Sequence, residues 1–379
     1  MLILLEHQAK ALLADAGIEV PRGVLLDRDA DVSSVVARIG PPPWMLKAQV
    51  CGQRRLAWGG VVRVPSEEEL ARQRAALFER SGQAFERVLV EQDRPVEAEW
   101  FCAVLLDPAS AGLRLVLSAE GGGAVDTALA EGRFASLLFD PASPPDPARI
   151  ASEIPLAGPA MSDTAAALCR FAVERDCLLI EANPFGVDGG GRVVVLDAHL
   201  TVDAAAGYRQ PWMMDFADEV ARLDPDVAWR RRWDGDFFVL DERGEVAIIN
   251  TGAGSGLFLI DELRRRSLAP LNFSDVRMVG IIRQPERMHA VVERILEFPS
   301  ARTVLVNIHA GIGDPLETVH LVLAAAQRLR EARRRMVVRI AGRNADGAAA
   351  ILTADGFTVR TSLRQALDEV QAVSATVTA

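Results

Sequence analysis

The first part of the chain alternates short apolar runs with turn residues and with amphipathic stretches at helical spacing. Apolar runs bounded by Gly, Pro or Asp predict strands at 23–26, 44–50, 59–64, 88–91, 99–106 and 113–118. Helices are predicted at 7–16, at 29–39, from 66 onward and at 162–175. A stretch rich in Pro, Ala and Asp at 140–159 predicts a loop.

The pattern changes beyond a Trp- and Arg-rich stretch at 223–236. Mainly apolar runs now alternate with helical stretches, and strands are predicted at 246–250, 303–308, 336–340 and 357–360. Such alternation is typical of a parallel, doubly wound sheet that is covered by helices on both faces. We therefore predict an α/β protein with two domains, over 1–232 and 233–379.

Oxygen-bearing side chains end two neighbouring apolar runs that are joined by a glycine-rich turn. The first run reads LIEANP at 179–184 and the second reads VVLDA at 194–198. If the runs pair as strands, Glu181, Asn183 and Asp197 meet at one end of a sheet. Hard oxygen ligands suit Mg²⁺, which combines one or two carboxylates with waters and substrate phosphates. The motif predicts a metal site of an ATP-using enzyme, although a polar hairpin with solvated acids has the same pattern.

Composition narrows the choice of partners and compartment. The net charge is −10 without an extended basic tract, which argues against nucleic acid as a partner. No stretch of about twenty apolar residues is present, so we expect no membrane association. The four cysteines show no CxxC spacing, and the start of the chain does not resemble a signal peptide, so we expect a cytoplasmic protein. Only Lys10 and Lys47 are lysines, which makes Lys47, at the end of a buried strand, a candidate phosphate ligand.

Motifs in a fixed order give the chain a nearly end-to-end resemblance to the beta subunit of succinyl-CoA synthetase. They are EHQAK at 6–10, WMLKAQV at 44–50, VE at 90–91, IEANP at 180–184, LD at 196–197, RQP at 209–211, NTGAG at 250–254, NF at 272–273, NIHAGI at 307–312 and GRNA at 342–345. The resemblance implies an N-terminal ATP-grasp domain followed by a flavodoxin-like ligase domain. It implies ATP or GTP, Mg²⁺ and CoA, with a small carboxylic acid activated through an acyl phosphate. It further implies a partner alpha subunit that carries the CoA-binding domain and a phosphohistidine.

The resemblance also assigns the nucleotide site. It makes Lys47 a phosphate ligand, places Glu91 at the adenine and hinge, and adds Arg94 and Glu99 to the nucleotide-binding positions. Arg54, Arg55 and Leu56 occupy the phosphate-binding loop, where Arg54 and Leu56 replace glycines of the family.

The remaining assignments concern the metal, the catalytic acid and the carboxylate substrate. By resemblance, Asn183 and Asp197 hold Mg²⁺, and Glu181 is the catalytic residue that orients the partner's phosphohistidine. Asn250 and the turn Gly311, Ile312 and Gly313 would bind the substrate carboxylate and the transferred phosphate at helix N-termini.

Two departures from the family pattern keep three interpretations open. Besides the altered phosphate loop, the stretch 274–280 replaces a triple glycine of the family, and Arg277 there would add a cation for an extra carboxylate or sulfonate. The chain is then an active acid–CoA ligase subunit, a non-catalytic scaffold or regulatory paralogue, or an ATP-grasp ligase with an acceptor other than CoA. His7, His199 and His309 are interpreted as packing residues.

Overall fold

The computed structural model describes residues 1–51, 55–80, 85–311 and 313–375. The chain forms two compact units, Met1–Asp224 and Pro225–Ala379. Within the described ranges, no helix is both long and apolar enough to cross a membrane.

In the described part of the first unit, the chain forms eleven strands and seven α-helices. The strands are β1 Leu2–Ile3, β2 Gly23–Asp27, β3 Trp44–Ala48, β4 Val61–Val64, β5 Arg87–Gln92, β6 Ala98–Asp107, β7 Gly112–Ser118, β8 Ala135–Phe139, β9 Cys177–Val187, β10 Val193–Val195 and β11 Ala198–Val202. The helices are α1 Glu6–Asp15, α2 Ser34–Ile39, α3 Glu67–Arg80, α4 Val125–Ala130, α5 Pro147–Glu153, α6 Pro159–Glu174 and α7 Trp212–Leu223.

These strands form two antiparallel sheets. The small sheet has the order β2-β5-β3-β4, and the large sheet has the order β1-β11-β9-β6-β7-β8, with β10 also paired to β9. Alternate residues of the small sheet, such as Trp44, Leu46 and Val90, are buried against α2 and α3. Because side chains alternate between the two faces of a strand, Lys47, which follows Leu46 in β3, faces the other side of this sheet.

A parallel sheet forms the centre of the second unit, as the sequence predicts. Its elements are α8 Pro225–Trp233, β12 Asp236–Val239, β13 Val246–Asn250, α9 Ala253–Arg265, β14 Asn272–Asp275, α10 Met278–Arg283, α11 Glu286–Leu296, β15 Thr303–Ala310, α12 Pro315–Glu331, β16 Arg335–Gly342, α13 Ala345–Ala354, β17 Val359–Arg360 and α14 Leu363–Ala375. Strands β13, β15, β16 and β17 pair in parallel, whereas β12 and β14 form a separate antiparallel pair. Alternate residues of β13 enter two apolar cores, one on each face of the sheet.

Two of the differences from the sequence prediction concern the division into units and the predicted loop at 140–159. The units divide at Asp224 rather than at 232, because α8 packs in the second unit, where Trp229 lies against Phe237 at 5.7 Å between ring centroids. The predicted loop at 140–159 contains α5, which begins where the Asp146 carboxylate accepts a hydrogen bond from the Arg149 amide and Pro147 takes the first helical position.

Candidate functional site

A cleft of about 460 Å³ in the first unit brings together several residues singled out from the sequence. Arg55, Leu56, Glu181, Asn183 and Asp197 all line it. The other lining residues are Leu4, Glu6, Val50, Ala57, Val61, Gly122, Gly123, Val125, Asp126, Pro184, Ala198 and His199.

Asp197 reaches this cleft because the strand that carries it is interrupted. Strands β10 and β11 both pair with β9, but the two residues between them, Leu196 and Asp197, leave the ladder. Their amides both donate to the Pro184 carbonyl, and the Asn183 amide donates to the Asp197 carbonyl at 3.1 Å. The interruption therefore fixes Asp197 beside Asn183 and leaves the Leu196 carbonyl unpaired in the sheet.

The Asp197 carboxylate is held by Arg55. The Arg55 Nη2 atom lies 2.7 and 2.9 Å from the two carboxylate oxygens. The Nη1 atom donates to the Glu6 carboxylate and, at 3.3 Å, to the Ala48 carbonyl. Although burial opposes the charged form, Glu6 and Asp197 raise the pKa of Arg55 further, so its guanidinium is a permanent cation in the wall of the cleft.

Lys10 and Lys47 lie behind this wall in a buried ion cluster. Lys10 Nζ lies 2.7 Å from Glu6 and 2.6 Å from Glu91, and Lys47 Nζ lies 2.8 and 2.9 Å from the same two carboxylates. Both ammonium groups also donate to the free Leu196 carbonyl at 2.7 Å. Despite burial, Arg55, Lys10 and Lys47 hold the pKa of Glu6 well below its usual range.

Four residues assigned to the nucleotide are engaged elsewhere or do not line the cleft. Lys47 is only 5% exposed and reaches the cleft through Glu6, while Glu91 pairs with both lysines. Arg94 pairs with Glu19 at 3.3 Å and Asp188 at 3.1 Å. Glu99 is exposed at the start of β6, where its carbonyl accepts a hydrogen bond from the Gly121 amide. Arg54 lies outside the described residues.

Glu181 and Asn183 extend the acidic side of the cleft. The Asn183 Oδ1 atom accepts a hydrogen bond from the Gly122 amide at 2.7 Å. Burial, together with the charges of Asp197 and Asp126, raises the pKa of Glu181, which means that its negative charge lacks a full complement of counter-charge. This side of the cleft favours a cation.

The donor set fits Mg²⁺. Asn183 and Asp197 offer an amide and a carboxylate oxygen on one wall, and hard oxygen donors are what Mg²⁺ takes from proteins. Among the described residues, no group of three or more His, Cys, Asp and Glu side chains forms a complete metal site. Any Mg²⁺ held here would need further oxygens from water or a phosphate ligand.

Sequence reasoning missed several residues of the site. Glu6 and Lys10 lie one helical turn apart on α1 and form a buried ion pair. In the sequence, this pair could have been recognised as two charged residues on the apolar face of a helix. His199 lies two residues after Asp197, opposite Glu181 across the β9–β11 ladder, and lines the cleft. Burial and the charge of Arg55 lower the pKa of His199, whereas the charge of Asp197 acts in the opposite direction. The lowered pKa favours the neutral imidazole ring.

In the second unit, Asn250 holds the turn between β13 and α9. Its side chain is 0% exposed, with Nδ2 donating to the Gly252 carbonyl at 2.6 Å. Its Oδ1 accepts from Ser255 Oγ at 3.0 Å and from Asn307 Nδ2 at 2.6 Å, and Arg339 donates to Asn307 at 2.8 Å. The amide of Asn250 therefore shapes the loop from the inside.

The loops that follow β13, β14 and β15 meet at the carboxyl end of this sheet. The His309 amide donates to Thr251 Oγ1 at 2.9 Å, and the Gly252 amide donates to the Asp275 carboxylate at 2.9 Å. Gly311 and Gly313 are exposed just after β15, and Ile312 between them lies outside the described residues. In open α/β sheets this edge is where ligands bind.

Arg277 is held beside these loops by three acids. Its amide donates to Asp275 at 3.0 Å, and its guanidinium pairs with Asp234 at 2.9 Å and Asp236 at 3.3 Å. The cation that the sequence pattern offered to a substrate is thus already paired within this unit.

Comparison with known proteins defines the class to which this fold and site belong. Residues 3–187 match the family model of the ATP-grasp domain, and residues 269–373 match that of CoA-ligase. The solved structure of ATP citrate lyase from Methanothrix soehngenii, in complex with citrate and coenzyme A, has the same fold. It aligns with a TM-score of 0.65 at 18% identity over 94% of this chain and 95% of that chain. The protein is an α/β protein of the ATP-grasp and CoA-ligase class.

Curated relatives give the family. The chain is 30% identical over 371 residues to the succinate–CoA ligase [ADP-forming] subunit beta of Halorhodospira halophila, covering 93% of each chain. It is 28% identical over 387 residues to the subunit of the same name from Myxococcus xanthus, covering 97% of this chain and 98% of the relative. The chain belongs to the family of ADP-forming succinate–CoA ligase beta subunits, which are acid–thiol ligases. The low identity makes it a divergent member, as the departures from the family pattern predict.

Proposed function

We propose that the protein is the beta subunit of a nucleoside-diphosphate-forming acid–CoA ligase that acts with an alpha subunit. The observation that carries the proposal is the single cleft wall on which Glu181, Asn183 and Asp197 lie together. The proposed substrates are ATP or GTP, CoA and a small carboxylic acid, and the acid is activated as an acyl phosphate by way of a phosphohistidine on the partner.

Asn183 and Asp197 are proposed to hold the Mg²⁺ of the bound nucleotide. Bound Mg²⁺ would bridge phosphate oxygens and neutralise charge that develops during phosphoryl transfer. Arg55 and Leu56 border the same cleft and would face the phosphates. Lys47 and Glu91 are proposed to act indirectly, since their ion cluster fixes Glu6 and, through it, Arg55.

Glu181 is proposed to orient the imidazole of the partner's phosphohistidine. Its carboxylate lines the cleft, and a carboxylate that accepts a hydrogen bond from one ring nitrogen sets the position of the other. Because the pKa of Glu181 is raised by burial, Asp197 and Asp126, an approaching cationic ring would find favourable charge there.

The carboxylic acid is proposed to bind in the second unit, at the loops that contain Asn250, Gly311 and Gly313. Gly311 and Gly313 are exposed after β15, ahead of α12. The Gly311 amide donates to the His309 carbonyl at 3.1 Å and Asp314 caps the Leu316 amide at 2.9 Å, so the Gly313 amide is the group proposed to meet an anion. Asn250 would contribute by holding its own loop in shape, because both ends of its amide are used inside the unit.

An inactive scaffold is the second candidate function. It is favoured by the mutual neutralisation of the site, in which Arg55 covers Asp197 and Lys47 is paired with two carboxylates. Leu56, which replaces a glycine of the family loop, is 72% exposed in the cleft.

Turnover with the partner separates these functions. The full chain, co-purified with an alpha-type subunit, would be supplied with Mg²⁺, ATP or GTP, CoA and a panel of mono-, di- and tricarboxylic acids. Nucleoside diphosphate and thioester formed together, only when CoA and one class of acid are present, would support the ligase. Diphosphate formed without any need for CoA would indicate another acceptor, and the absence of turnover with every acid would favour the scaffold.

A further inference from the structure

The two candidate metal ligands in the cleft are not equally available. Asn183 Oδ1 has one partner, the Gly122 amide, whereas both Asp197 oxygens contact the Arg55 guanidinium at 2.7 and 2.9 Å. Charge-assisted hydrogen bonds of this length are among the stronger ones in proteins. A metal ion that needs an Asp197 oxygen must therefore compete with Arg55.

Arg55 is anchored so that it stays near Asp197. Its other terminal nitrogen donates to the Glu6 carboxylate and the Ala48 carbonyl, and its side chain is only 11% exposed. Arg55 is also the first residue of the short 3-10 helix Arg55–Trp58, and Leu56, the second residue of that helix, lines the cleft. The guanidinium is thus a fixed part of the cleft wall.

The charge balance of the cluster decides which ligand can separate the Arg55 guanidinium from Asp197. The cations Lys10, Lys47 and Arg55 face the carboxylates of Glu6, Glu91 and Asp197, so the connected cluster carries no net charge. A bare divalent cation would add two positive charges. It would also leave Glu6 as the one carboxylate of the cluster that still pairs with Arg55. A phosphate chain removes both obstacles, because it supplies oxygens to the metal and an anion to the guanidinium.

We propose that Arg55 and the divalent cation compete for Asp197, so that the metal binds tightly only together with a nucleotide phosphate that takes over Arg55. The inference rests on the proposed nucleotide site and specifies how that site is regulated. Metal binding and nucleotide binding are then coupled through one side chain, and by linkage the coupling is the same in both directions.

Binding of Mn²⁺ to the full chain tests this competition directly. Free Mn²⁺ would be measured by electron paramagnetic resonance, with and without a non-hydrolysable ATP analogue at saturating concentration. In the wild type, we expect the analogue to tighten Mn²⁺ binding by about tenfold or more, within the usual range of such couplings. Arg55→Met should tighten the binding of Mn²⁺ alone and reduce the effect of the analogue.

Controls keep the outcomes distinct. Arg63→Met makes the same change at an exposed ion pair with Asp93 and should leave both affinities unchanged. Arg55→Gln, which keeps hydrogen bonds but loses the charge, replaces Arg55→Met if the latter does not fold by circular dichroism. Wild-type Mn²⁺ binding that is equally tight with and without the analogue would overturn the competition, as would Arg55 variants with wild-type coupling. The absence of all binding by Mn²⁺ and analogue together would instead overturn the proposed nucleotide site.

Discussion

Asp197 owes its position to an interruption in a strand rather than to the strand itself. The sequence pattern placed Glu181, Asn183 and Asp197 at one end of a hairpin, because strand periodicity and a glycine-rich turn are both local features. The partners of these residues were not predictable in the same way. Glu6 and Arg55 come from distant segments, and only the folded unit brings them to Asp197.

Lys47 shows that the sequence does not reveal the ion-pair partners of a rare residue. The sequence favoured a phosphate ligand because lysine is rare in this chain, but its ammonium is buried between Glu6 and Glu91. Those carboxylates raise the pKa of Lys47 against the effect of burial, so it remains charged in the interior.

The first prediction concerns this buried cluster. Lys47→Met leaves buried carboxylate charge without its cation and should lower the free energy of unfolding by about 3 kcal/mol. Arg72→Met removes an exposed pair with Glu69 and should cost less than about 1 kcal/mol. Urea unfolding followed by tryptophan fluorescence would measure both. Equal stabilities of the two variants would mean that the cluster contributes no more than a surface ion pair.

The second prediction concerns Gly121 and Gly123, the two glycines on either side of Gly122, whose amide donates to Asn183. A Cβ atom on Gly121 would lie 2.5 Å from the Trp100 carbonyl oxygen, which is backbone and cannot move aside, whereas a Cβ atom on Gly123 meets nothing within 4 Å. Gly121→Ala should therefore destabilise the protein by about 1–3 kcal/mol, and Gly123→Ala should be nearly neutral. Thermal unfolding of the pair checks the difference, and similar losses for both variants would contradict it.

At the scale of elements, a polar network connects helices α1 and α7 with strand β5. The Glu219 carboxylate of α7 accepts hydrogen bonds from Gln8 at 2.9 Å and from Arg87, and it lies 3.2 Å from His7 Nε2. Although burial opposes the charge, these contacts lower the pKa of Glu219 to about 2. The network thus holds α1, which carries Glu6 and Lys10, against α7.

The third prediction is a pH dependence of this contact. Since the folded-state pKa of Glu219 lies below its ordinary value of 4.5, its charge stabilises the fold above that pH, and this contribution is lost as the pH falls towards about 2. Glu219→Gln should therefore melt below the wild type at pH 7, and the gap should narrow between about pH 4.5 and 2. A gap that stays constant over this range would show that Glu219 does not act through its charge.

Elements with strong periodicity were predictable, and those fixed by tertiary packing were not. The parallel sheet of the second unit followed from mainly apolar runs such as 246–250, which become strands buried on both faces. Helix α5 was hidden in a Pro- and Asp-rich stretch, although Asp146 and Pro147 form a recognisable helix start. The compact units divide after Asp224, eight residues before the predicted boundary, and the packing of Trp229 on Phe237 depends on the folded second unit.

At the scale of the whole molecule, each unit carries a part of the proposed chemistry. The first unit contains the cleft with Glu181, Asn183 and Asp197, and the second contains the loops after β13 and β15. Family membership adds the expectation of a partner, because the proposed reaction requires a phosphohistidine and a CoA site. The catalytic role proposed for Glu181 therefore has to be assessed in the proposed complex with an alpha-type subunit.

The fourth prediction separates binding from chemistry in that complex. Glu181→Gln keeps the shape of the side chain and can keep a hydrogen bond to Asn183, and it leaves both proposed metal ligands in place. Nucleotide affinity should therefore remain within about threefold of the wild type. Turnover should fall by about 100-fold or more, since the carboxylate proposed to orient the partner's imidazole is lost. Steady-state kinetics with the alpha subunit gives both values. Loss of affinity with unchanged turnover would assign Glu181 to nucleotide binding instead.

The central proposal, a nucleotide and metal site in this cleft, is tested most directly by calorimetric titration of ATP into the full chain. The titration is done with and without Mg²⁺ and compares the wild type with Asp197→Asn. The variant keeps the shape of the side chain but lacks the carboxylate charge that Arg55 contacts and that we propose Mg²⁺ to use. We expect Mg²⁺ to strengthen ATP binding to the wild type and to have little effect on the variant. Equal Mg²⁺ dependence in both proteins, or no binding of ATP to the wild type alone or with its partner, would contradict a nucleotide and metal site in this cleft.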